Sequence, residues 1–420
     1  MKIALIVQRY GTDILGGSEY HARLIAERLV QRHQVEVLTT CARDYITWKN
    51  EYPEGVDRVR GVAVRRFCTS ETREIEEFNR YSDWIFNYPH TDADEQDWLR
   101  RQGPVAPGLL EHLQRTHRSY DILIFFTYLY APTAMGLQID PSRSVLVPTA
   151  HDEPAIKLRI YRDLFRKAKA IAYNTDVERR FLNATFDIRA TTEATVGCGV
   201  DLPQNRPHAG TPEAAEAAAN DDENSPDKGY GNRRRMHGRG EAFRRRHRLH
   251  GPVALYGGRI DPGKGCEELL QYFHAYQRVG GDATLVLMGA KLMPLPEDPS
   301  VRFAGMLSEA ERAEALEAAT VVVVPSPHES LSLLALEAMA VGTPILVNGR
   351  SDVLVDHCRK SQAGLYYSSA DEFVESLKML LADDRLRAQM GRNGRQYVKT
   401  NYRWDVIMQK YEGLMAALKA

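Results

Sequence analysis

The sequence predicts an α/β protein made of two similarly built domains, each with a mostly parallel sheet covered by helices. Short apolar strands alternate with amphipathic helices along most of the chain, which is the pattern of such sheets. The alternation stops in one polar segment near the middle and resumes after it. The chain has 420 residues, 43% of them hydrophobic, which is enough for two or more cores. We therefore expect two sheets that face each other across a cleft.

The first half begins with an apolar strand at Ile3–Val7 and a helix whose apolar side chains, including Ile25 and Leu29, recur at helical spacing. A capping box formed by Thr175 and Glu178 is predicted to open another helix, because a Thr followed three residues later by Glu satisfies the first N–H groups. Further strands are expected at 35–40, 62–67, 122–127, 144–150, 170–175 and 194–197.

The second half repeats the alternation, and Ser308 with Glu311 predicts another capping box. Its strands are expected at 253–258, 283–289, 301–305, 320–326 and 343–348. These patterns divide the chain into an N-terminal domain (1–204), a low-complexity charged insertion that is partly disordered (205–250), a C-terminal domain (251–400) and a last helix that crosses back to the first domain (401–420).

Composition excludes several classes of protein. The formal net charge of −1 argues against a dedicated nucleic-acid binder, which carries a basic excess. Five scattered cysteines without a CxxC motif predict neither a disulfide framework nor a zinc site, and they fit a cytoplasmic protein. The N-terminal apolar run is too short for a signal peptide, and no run reaches the roughly 20 residues that span a bilayer.

A glycine-rich bend in the second half carries two fixed positive charges. The stretch "ALYGGRIDPGKGCEELLQYF" places Gly258, Arg259 and Lys264 between a strand and an amphipathic helix. Backbone N–H groups at such a bend approach an anion closely, and Arg grips two of its oxygens. The pattern therefore indicates a diphosphate site, although a tight turn with solvated charges is the alternative. Neither GxGxxG nor GxxxxGK[ST] occurs here.

Two carboxylates follow a later strand at a spacing of eight residues. In "SPHESLSLLALEAMAVGTPILV", Glu329 lies in the loop, and Glu337 lies about two turns deeper in a helix expected to be capped by Ser330. The N–H groups of Leu331 and Ser332 would face a negative charge between the two acids. Because Glu337 is surrounded by apolar residues, its carboxylate needs a partner. The alternative is a solvated loop acid and an ordinary helix acid.

Together, "GGRIDPGKG" and "HESLSLLALEAMAVGTP" resemble the C-terminal half of the retaining GT-B glycosyltransferases of family four, the group 1 glycosyl transferases. The resemblance covers the chain except 205–250. It implies that Arg259 and Lys264 neutralise the donor diphosphate, that Glu337 holds the ribose and that Glu329 holds sugar hydroxyls near the anomeric carbon. It further implies that "FAGML", which contains Phe303 and Met306, borders the nucleobase.

Two stretches of the first half resemble the same family. "GTDILGGSEYHARLIAERL" is similar to its glycine-rich loop, so Gly16 and Gly17 would pass close to the phosphates and the acceptor. "TAHDEP" is similar to its strand end with a histidine, so His151 would contact the donor sugar. A simple Gly-Gly turn and an ordinary surface or core histidine are the alternatives. Asp152 and Glu153 are alternative active acids.

The resemblance implies transfer of a sugar from a nucleoside-diphosphate sugar, of UDP or GDP type, to an acceptor hydroxyl with retention of anomeric configuration. No further cofactor and no metal are implied, and the expected acceptor is a carbohydrate or lipid-linked carbohydrate, in polysaccharide or glycolipid assembly. The alternatives are a nucleotide-sugar epimerase of the same architecture, a non-catalytic binding protein and, more distantly, a nicotinamide oxidoreductase.

Two stretches bear on acceptor or membrane contact. The aromatic segment Phe78–His90, in a weakly ordered region, is an acceptor loop, a shallow membrane contact or core packing. The arginine triplets 233–235 and 244–246 are either solvated charge or contacts to anionic headgroups, which would make the protein peripheral at the membrane.

Overall fold

The computed structural model describes residues 1–14, 16–202 and 239–419. The first sheet contains eight strands in the order β3-β4-β2-β1-β5-β6-β7-β8, and every neighbouring pair is parallel except β3 with β4. Its strands are β1 (Lys2–Ile6), β2 (Gln34–Thr40), β3 (Gly55–Val59), β4 (Val62–Phe67), β5 (Ile122–Phe126), β6 (Ser144–Val147), β7 (Ala170–Tyr173) and β8 (Thr192–Thr195).

The second sheet contains six parallel strands in the order β11-β10-β9-β12-β13-β14. These are β9 (Val253–Gly257), β10 (Thr284–Met288), β11 (Val301–Gly305), β12 (Val321–Val324), β13 (Ile345–Asn348) and β14 (Gly364–Tyr367). The predicted α/β class with two parallel sheets is therefore confirmed.

Helices cover both faces of each sheet. In the first half they are α1 (Gly17–Leu29), α2 (Ile75–Asn87), α3 (Asp92–Gln102), α4 (Pro107–Thr116), α5 (Ala131–Gly136), α6 (Ile160–Lys167) and α7 (Asp176–Thr185). In the second half they are α8 (Cys266–Arg278), α9 (Glu309–Ala318), α10 (Leu333–Val341), α11 (Asp352–Ser361), α12 (Ala370–Ala382), α13 (Asp384–Asn401) and α14 (Trp404–Lys419).

The last helix, α14, packs against the first sheet rather than the second. Its side chains Ile407, Tyr411 and Met415 are fully buried in the same apolar cluster as β1 and β5 residues. After the last strand of the second sheet, the chain therefore returns to the first sheet. None of the helices in the described ranges is both long and apolar enough to cross a membrane.

Elements that the sequence did not predict lie at the edges of the fold. β3 and β14 end their sheets and are largely exposed or half-buried, so they carry no buried apolar run. The region around Phe78–His90, expected to be weakly ordered, forms the helix α2, and the helix α3 follows it. Phe78 and Phe86 of α2 pack on the core of the first sheet, which favours the core-packing alternative for that aromatic segment.

Most of the predicted insertion, from 203 to 238, lies outside the described residues, as does the arginine triplet 233–235. Residues 239–246 are helical, and Phe243 of that helix is fully buried in the core of the second sheet. Two arginines of the second triplet contact the protein itself. Arg244 donates to the Ala318 carbonyl, and Arg246 pairs with Glu311 and Glu314. The domain limits at 204, 250 and 400 stay predictions.

The strand order determines where a ligand site forms. β1 lies between β2 and β5, and β9 lies between β10 and β12, so the chain changes direction at these strands in both sheets. Loops that leave the carboxyl ends of neighbouring strands at such a point diverge and leave a crevice. The loops after β1, β5, β9 and β12 are therefore the expected walls of a site.

Candidate active site

A cleft of about 390 Å³ lies between the two sheets and receives residues from both. The predicted site residues that line it are Gly16, Gly17, His151, Arg259, Lys264, Ser330, Leu331 and Ser332. Further lining residues are Arg9, Ser18, Glu19, His21, Tyr45, Thr127, Tyr128, Leu129, Tyr130, Thr149, Glu153, Asn174, Gly263, His328 and Leu333. Residues far apart in the sequence thus converge on one crevice.

The cationic loop after β9 is held by its own backbone contacts. The Asp261 carboxylate accepts the N–H of Lys264 at 2.8 Å, which closes a short turn before α8. Gly265 then adopts a left-handed φ of 74°, and a Cβ there would lie 2.3 Å from the Pro325 carbonyl oxygen. The loop therefore requires glycine at this position.

Lys264 and Glu329 form an ion pair between two neighbouring strand ends. Their Nζ and Oε1 atoms are 2.8 Å apart, and the Glu329 side chain is only 16% exposed. Burial opposes ionisation of Glu329, but the Lys264 ammonium outweighs it and the pKa of the carboxyl lies below its usual value. Glu329 is thus a charged group directly beside the cleft-lining residues Lys264, His328 and Ser330.

The segment after Glu329 is anchored from both sheets. Asn174 Nδ2 donates to Ser330 Oγ, and Thr175 Oγ1 donates to the Ser330 carbonyl, each at 3.2 Å. The buried His357 Nε2 donates to the Leu331 carbonyl at 2.8 Å. The prediction that Ser330 caps the helix is wrong, because α10 begins at Leu333 and its N-cap is Ser332 in a left-handed conformation.

Glu337 has the partner that its apolar surroundings require. Its carboxylate pairs with Arg312 of α9, and the Arg312 guanidinium lies over the ring of Tyr20 from α1, 5.2 Å from the ring centre. Arg23 lies over the same ring at 5.1 Å and pairs with Glu309 at 2.6 Å. Glu337 therefore belongs to a charged contact between the two halves of the molecule.

Five predicted residues are not part of the cleft lining: Gly258, Phe303, Met306, Glu329 and Glu337. Phe303 and Met306, near the end of the edge strand β11, are 45% and 54% exposed. Gly258 lies between β9 and Arg259, and its backbone N–H donates to the Met288 carbonyl at 2.9 Å. The exposed aromatic and thioether side chains of Phe303 and Met306 are accessible to a planar base, but they lie outside the cleft lining.

On the side of the first sheet, His151 stacks on His328 with ring centres 5.3 Å apart. Its Nε2 lies 3.5 Å from Glu153, whose carboxylate also accepts the Tyr128 hydroxyl at 2.6 Å. Asp152 instead pairs with Lys157 at 3.3 Å and does not line the cleft. Of the two alternative acids, only Glu153 is therefore placed beside His151.

The sequence analysis did not predict several residues that line the cleft. Arg9 lies in the loop three residues after the end of β1 and pairs with the buried Glu19 at 2.5 Å. A Cβ at Gly16 would lie 2.1 Å from the Glu19 carboxylate, which explains a glycine there. The ring of Tyr45 lies under both Arg9 and Arg259, at 5.6 and 4.8 Å. Arg9 could have been predicted from its position after an apolar strand, whereas no local sequence pattern indicates a role for Tyr45.

Burial shapes the protonation of neighbouring groups. It raises the pKa of Tyr130, which lies in the same cleft wall, to about 12 despite nearby arginines. It lowers the pKa of His21, another lining residue, to about 4. Both side chains are therefore neutral near pH 7. Within the described ranges, no cluster of three or more His, Cys, Asp and Glu residues is placed to hold a metal ion.

Residues 241–397 match the family of glycosyl transferases group 1. The chain is 27% identical to the D-inositol 3-phosphate glycosyltransferase of Salinispora arenicola, over 61% of this chain and 57% of that enzyme. It is also 27% identical to the enzyme of the same name from Salinispora tropica, over 94% of this chain and 80% of the relative.

Two solved structures share the whole arrangement. The sucrose-phosphate synthase of Thermosynechococcus elongatus superposes with a TM-score of 0.68 at 18% identity, covering 99% of both chains. The Anabaena protein HepE, solved with UDP-glucose, superposes with a TM-score of 0.66 at 14% identity, covering 99% of this chain and 100% of that one. The fold is therefore GT-B. Residues 241–397 therefore match the glycosyl transferases group 1, and the named relatives to which the chain is similar are glycosyltransferases.

Proposed function

We propose that the protein transfers a sugar from a uridine or guanosine diphosphate sugar to a hydroxyl group of a carbohydrate or lipid-linked carbohydrate, with retention at the anomeric carbon. The observation that carries this proposal is the convergence of Arg259, Lys264 and the Ser330–Ser332 segment on the cleft that His151 enters from the other sheet. Such a donor requires cations and free N–H groups around its diphosphate and polar groups around its sugar.

In the proposed reaction, the bond between the anomeric carbon and the diphosphate oxygen breaks as the acceptor oxygen bonds to that carbon. The departing diphosphate takes the acceptor's proton. Negative charge grows on the diphosphate, and Arg259 and Lys264 would stabilise it more in the transition state than in the ground state. Glu329 and His151 would hold the sugar hydroxyls, and Glu337 would hold the ribose.

Donor and acceptor classes draw support from similar proteins. HepE was solved with UDP-glucose, and the Salinispora relatives are named for an inositol phosphate acceptor. We propose that the acceptor is likewise a polyhydroxylated molecule, which would meet the first sheet beside His151 and Glu153. We further propose a cytoplasmic setting with peripheral contact at the inner face of the membrane when the acceptor is lipid-linked.

The first experiment measures thermal unfolding with UDP, GDP and ADP. We expect at least one of them to raise the unfolding midpoint of the wild-type chain, and we expect Arg259→Ala to lose that shift. Arg278→Ala, which removes an exposed arginine at the far end of α8, is the matched control. A well-folded protein with no response to any diphosphate would sink the proposal.

A second experiment separates transfer from the other activities of nucleotide-sugar proteins. Release of the nucleoside diphosphate should require an added acceptor, whereas an epimerase would convert the donor without one. Proton NMR of the purified product should show the anomeric configuration of the donor. An inverted product would contradict retention while leaving transfer intact.

A further inference from the structure

The predicted capping box at the start of α7 is only half formed. Thr175 Oγ1 accepts the N–H of Glu178 at 3.1 Å, as a cap does. The Glu178 carboxylate does not return to the Thr175 N–H but accepts the backbone N–H groups of Ala150 and Asn174, each at 2.5 Å. Glu178 is 1% exposed. A buried carboxylate thus joins the segments that follow β6 and β7.

Both of these amides belong to segments that line the cleft. Ala150 directly precedes His151, so its N–H sets the path of the backbone that carries the imidazole into the cleft. Asn174 reaches across to the second sheet, where its side chain donates to Ser330 Oγ. Ser330 follows Glu329, the partner of Lys264. Glu178 therefore holds two backbone segments on the first-sheet side of the cleft, and one of them contacts the second-sheet side through Asn174.

Asn174 has a second feature that points to the cleft. Its Oδ1 atom is buried and has no hydrogen-bond partner within the described residues, although the residue lines the cleft. Buried polar atoms are normally paired, so an unpaired one in a binding cleft is available to a ligand hydroxyl. The orientation of that amide depends on the Asn174 backbone that Glu178 holds.

We propose that Glu178 is a positioning residue that sets the placement of His151 relative to the Glu329–Ser330 segment, an inference that rests on the proposed transfer activity. The Glu178 carboxyl group, whose pKa burial raises to about 8, suits this role because each of its two oxygens accepts one N–H. A glutamine side chain at this position has the same shape but only one accepting oxygen, and its NH₂ group would face the second backbone N–H. A residue needed only for the helix would not require two acceptors.

The test compares Glu178→Gln and Glu178→Ala with Asp176→Asn, which removes an exposed acid from the same first turn and leaves both amides paired. We expect kcat to fall at least about tenfold in Glu178→Gln and further in Glu178→Ala, since small misplacements of reacting groups are costly. The KM for the donor and the affinity for the diphosphate should stay within about twofold of wild type, because Arg259 and Lys264 belong to the other sheet. Asp176→Asn should keep its kcat.

Hydrogen–deuterium exchange provides a readout that does not depend on transfer activity. In the wild-type chain the Ala150 and Asn174 amides should exchange as slowly as the amides within β6 and β7, and in Glu178→Gln that protection should fall. Rapid exchange of both amides in the wild type would overturn the inference, as would an unchanged kcat in Glu178→Gln. If the wild type transfers no sugar, the proposed function fails, and the exchange data still decide whether Glu178 holds the two segments.

Discussion

Lys264 Nζ lies 2.8 Å from Glu329 Oε1, although the two residues are 65 positions apart in the sequence. They meet because β9 and β12 are neighbours in the second sheet and both loops leave the same edge. The sequence suggested separate ligand partners for the two groups. The two side chains neutralise each other, so a bound diphosphate would have to draw Lys264 away from Glu329 or share it.

This pairing predicts that Glu329→Gln separates binding from chemistry. Transfer should fall by about a hundredfold or more, because a charged sugar-contacting group is lost. Affinity for the nucleoside diphosphate, measured by calorimetry, should stay the same or improve, since Lys264 loses a competing anion. Glu268→Gln, an acid of α8 that pairs with Arg350, is the control and should change neither. Equal loss of affinity and rate in Glu329→Gln would mean that its role is misassigned.

The cationic loop predicts that Gly265→Ala is far more harmful than Gly280→Ala. Both glycines have left-handed φ values, 74° and 87°, so both alanines carry the same conformational cost of about 1–2 kcal/mol. Only at Gly265 would the new Cβ meet backbone, since nothing lies within 4 Å of a Cβ at Gly280. Denaturant unfolding and diphosphate binding should both be worse for Gly265→Ala. Equal losses in the two variants would show that the close approach to Pro325 does not matter.

The buried His21 predicts a loss of stability in mild acid. Burial lowers its pKa from 6.5 to about 4, so between these pH values the unfolded chain binds a proton that the folded chain does not. Stability from this group is therefore complete above pH 6.5 and declines as the pH falls toward 4, by about 3 kcal/mol in total. Urea unfolding at several pH values should show a shallower decline in His21→Gln. The exposed His274→Gln should keep the wild-type slope, and identical slopes in all three proteins would contradict the prediction.

The pair of Arg312 and Glu337 predicts a specific rescue. Arg312→Met should destabilise the fold by about 3 kcal/mol, because it leaves a largely buried carboxylate without its cation. Adding Glu337→Gln should recover much of that stability, since the uncompensated charge is removed. The double variant should still bind diphosphate but more weakly than wild type if Glu337 holds the ribose. If Glu337→Gln does not restore stability to the Arg312→Met variant, the pair does not stabilise the fold in the predicted way.

The alternation of apolar strands and amphipathic helices was enough to predict the class and nearly every central strand, because central parallel strands are buried on both faces. The edge strands β3 and β14 escaped prediction because they are largely exposed or half-buried and carry no buried apolar run. The helices α2 and α3 escaped because their charged residues resemble a polar loop. Thr91 and Asp94 nevertheless form a complete capping box there.

The sequence by itself determined that this protein has two parallel sheets and that Arg259, Lys264, Glu329 and His151 lie at strand ends, because local periodicity and glycine bends act over a few residues. Only the tertiary structure decided which of these groups touch. The order of the strands brings β9 beside β12, the packing of α9 on α10 gives Glu337 its arginine, and a contact across the cleft places Tyr45 under Arg259. Such contacts join residues far apart in the chain, so no local pattern records them.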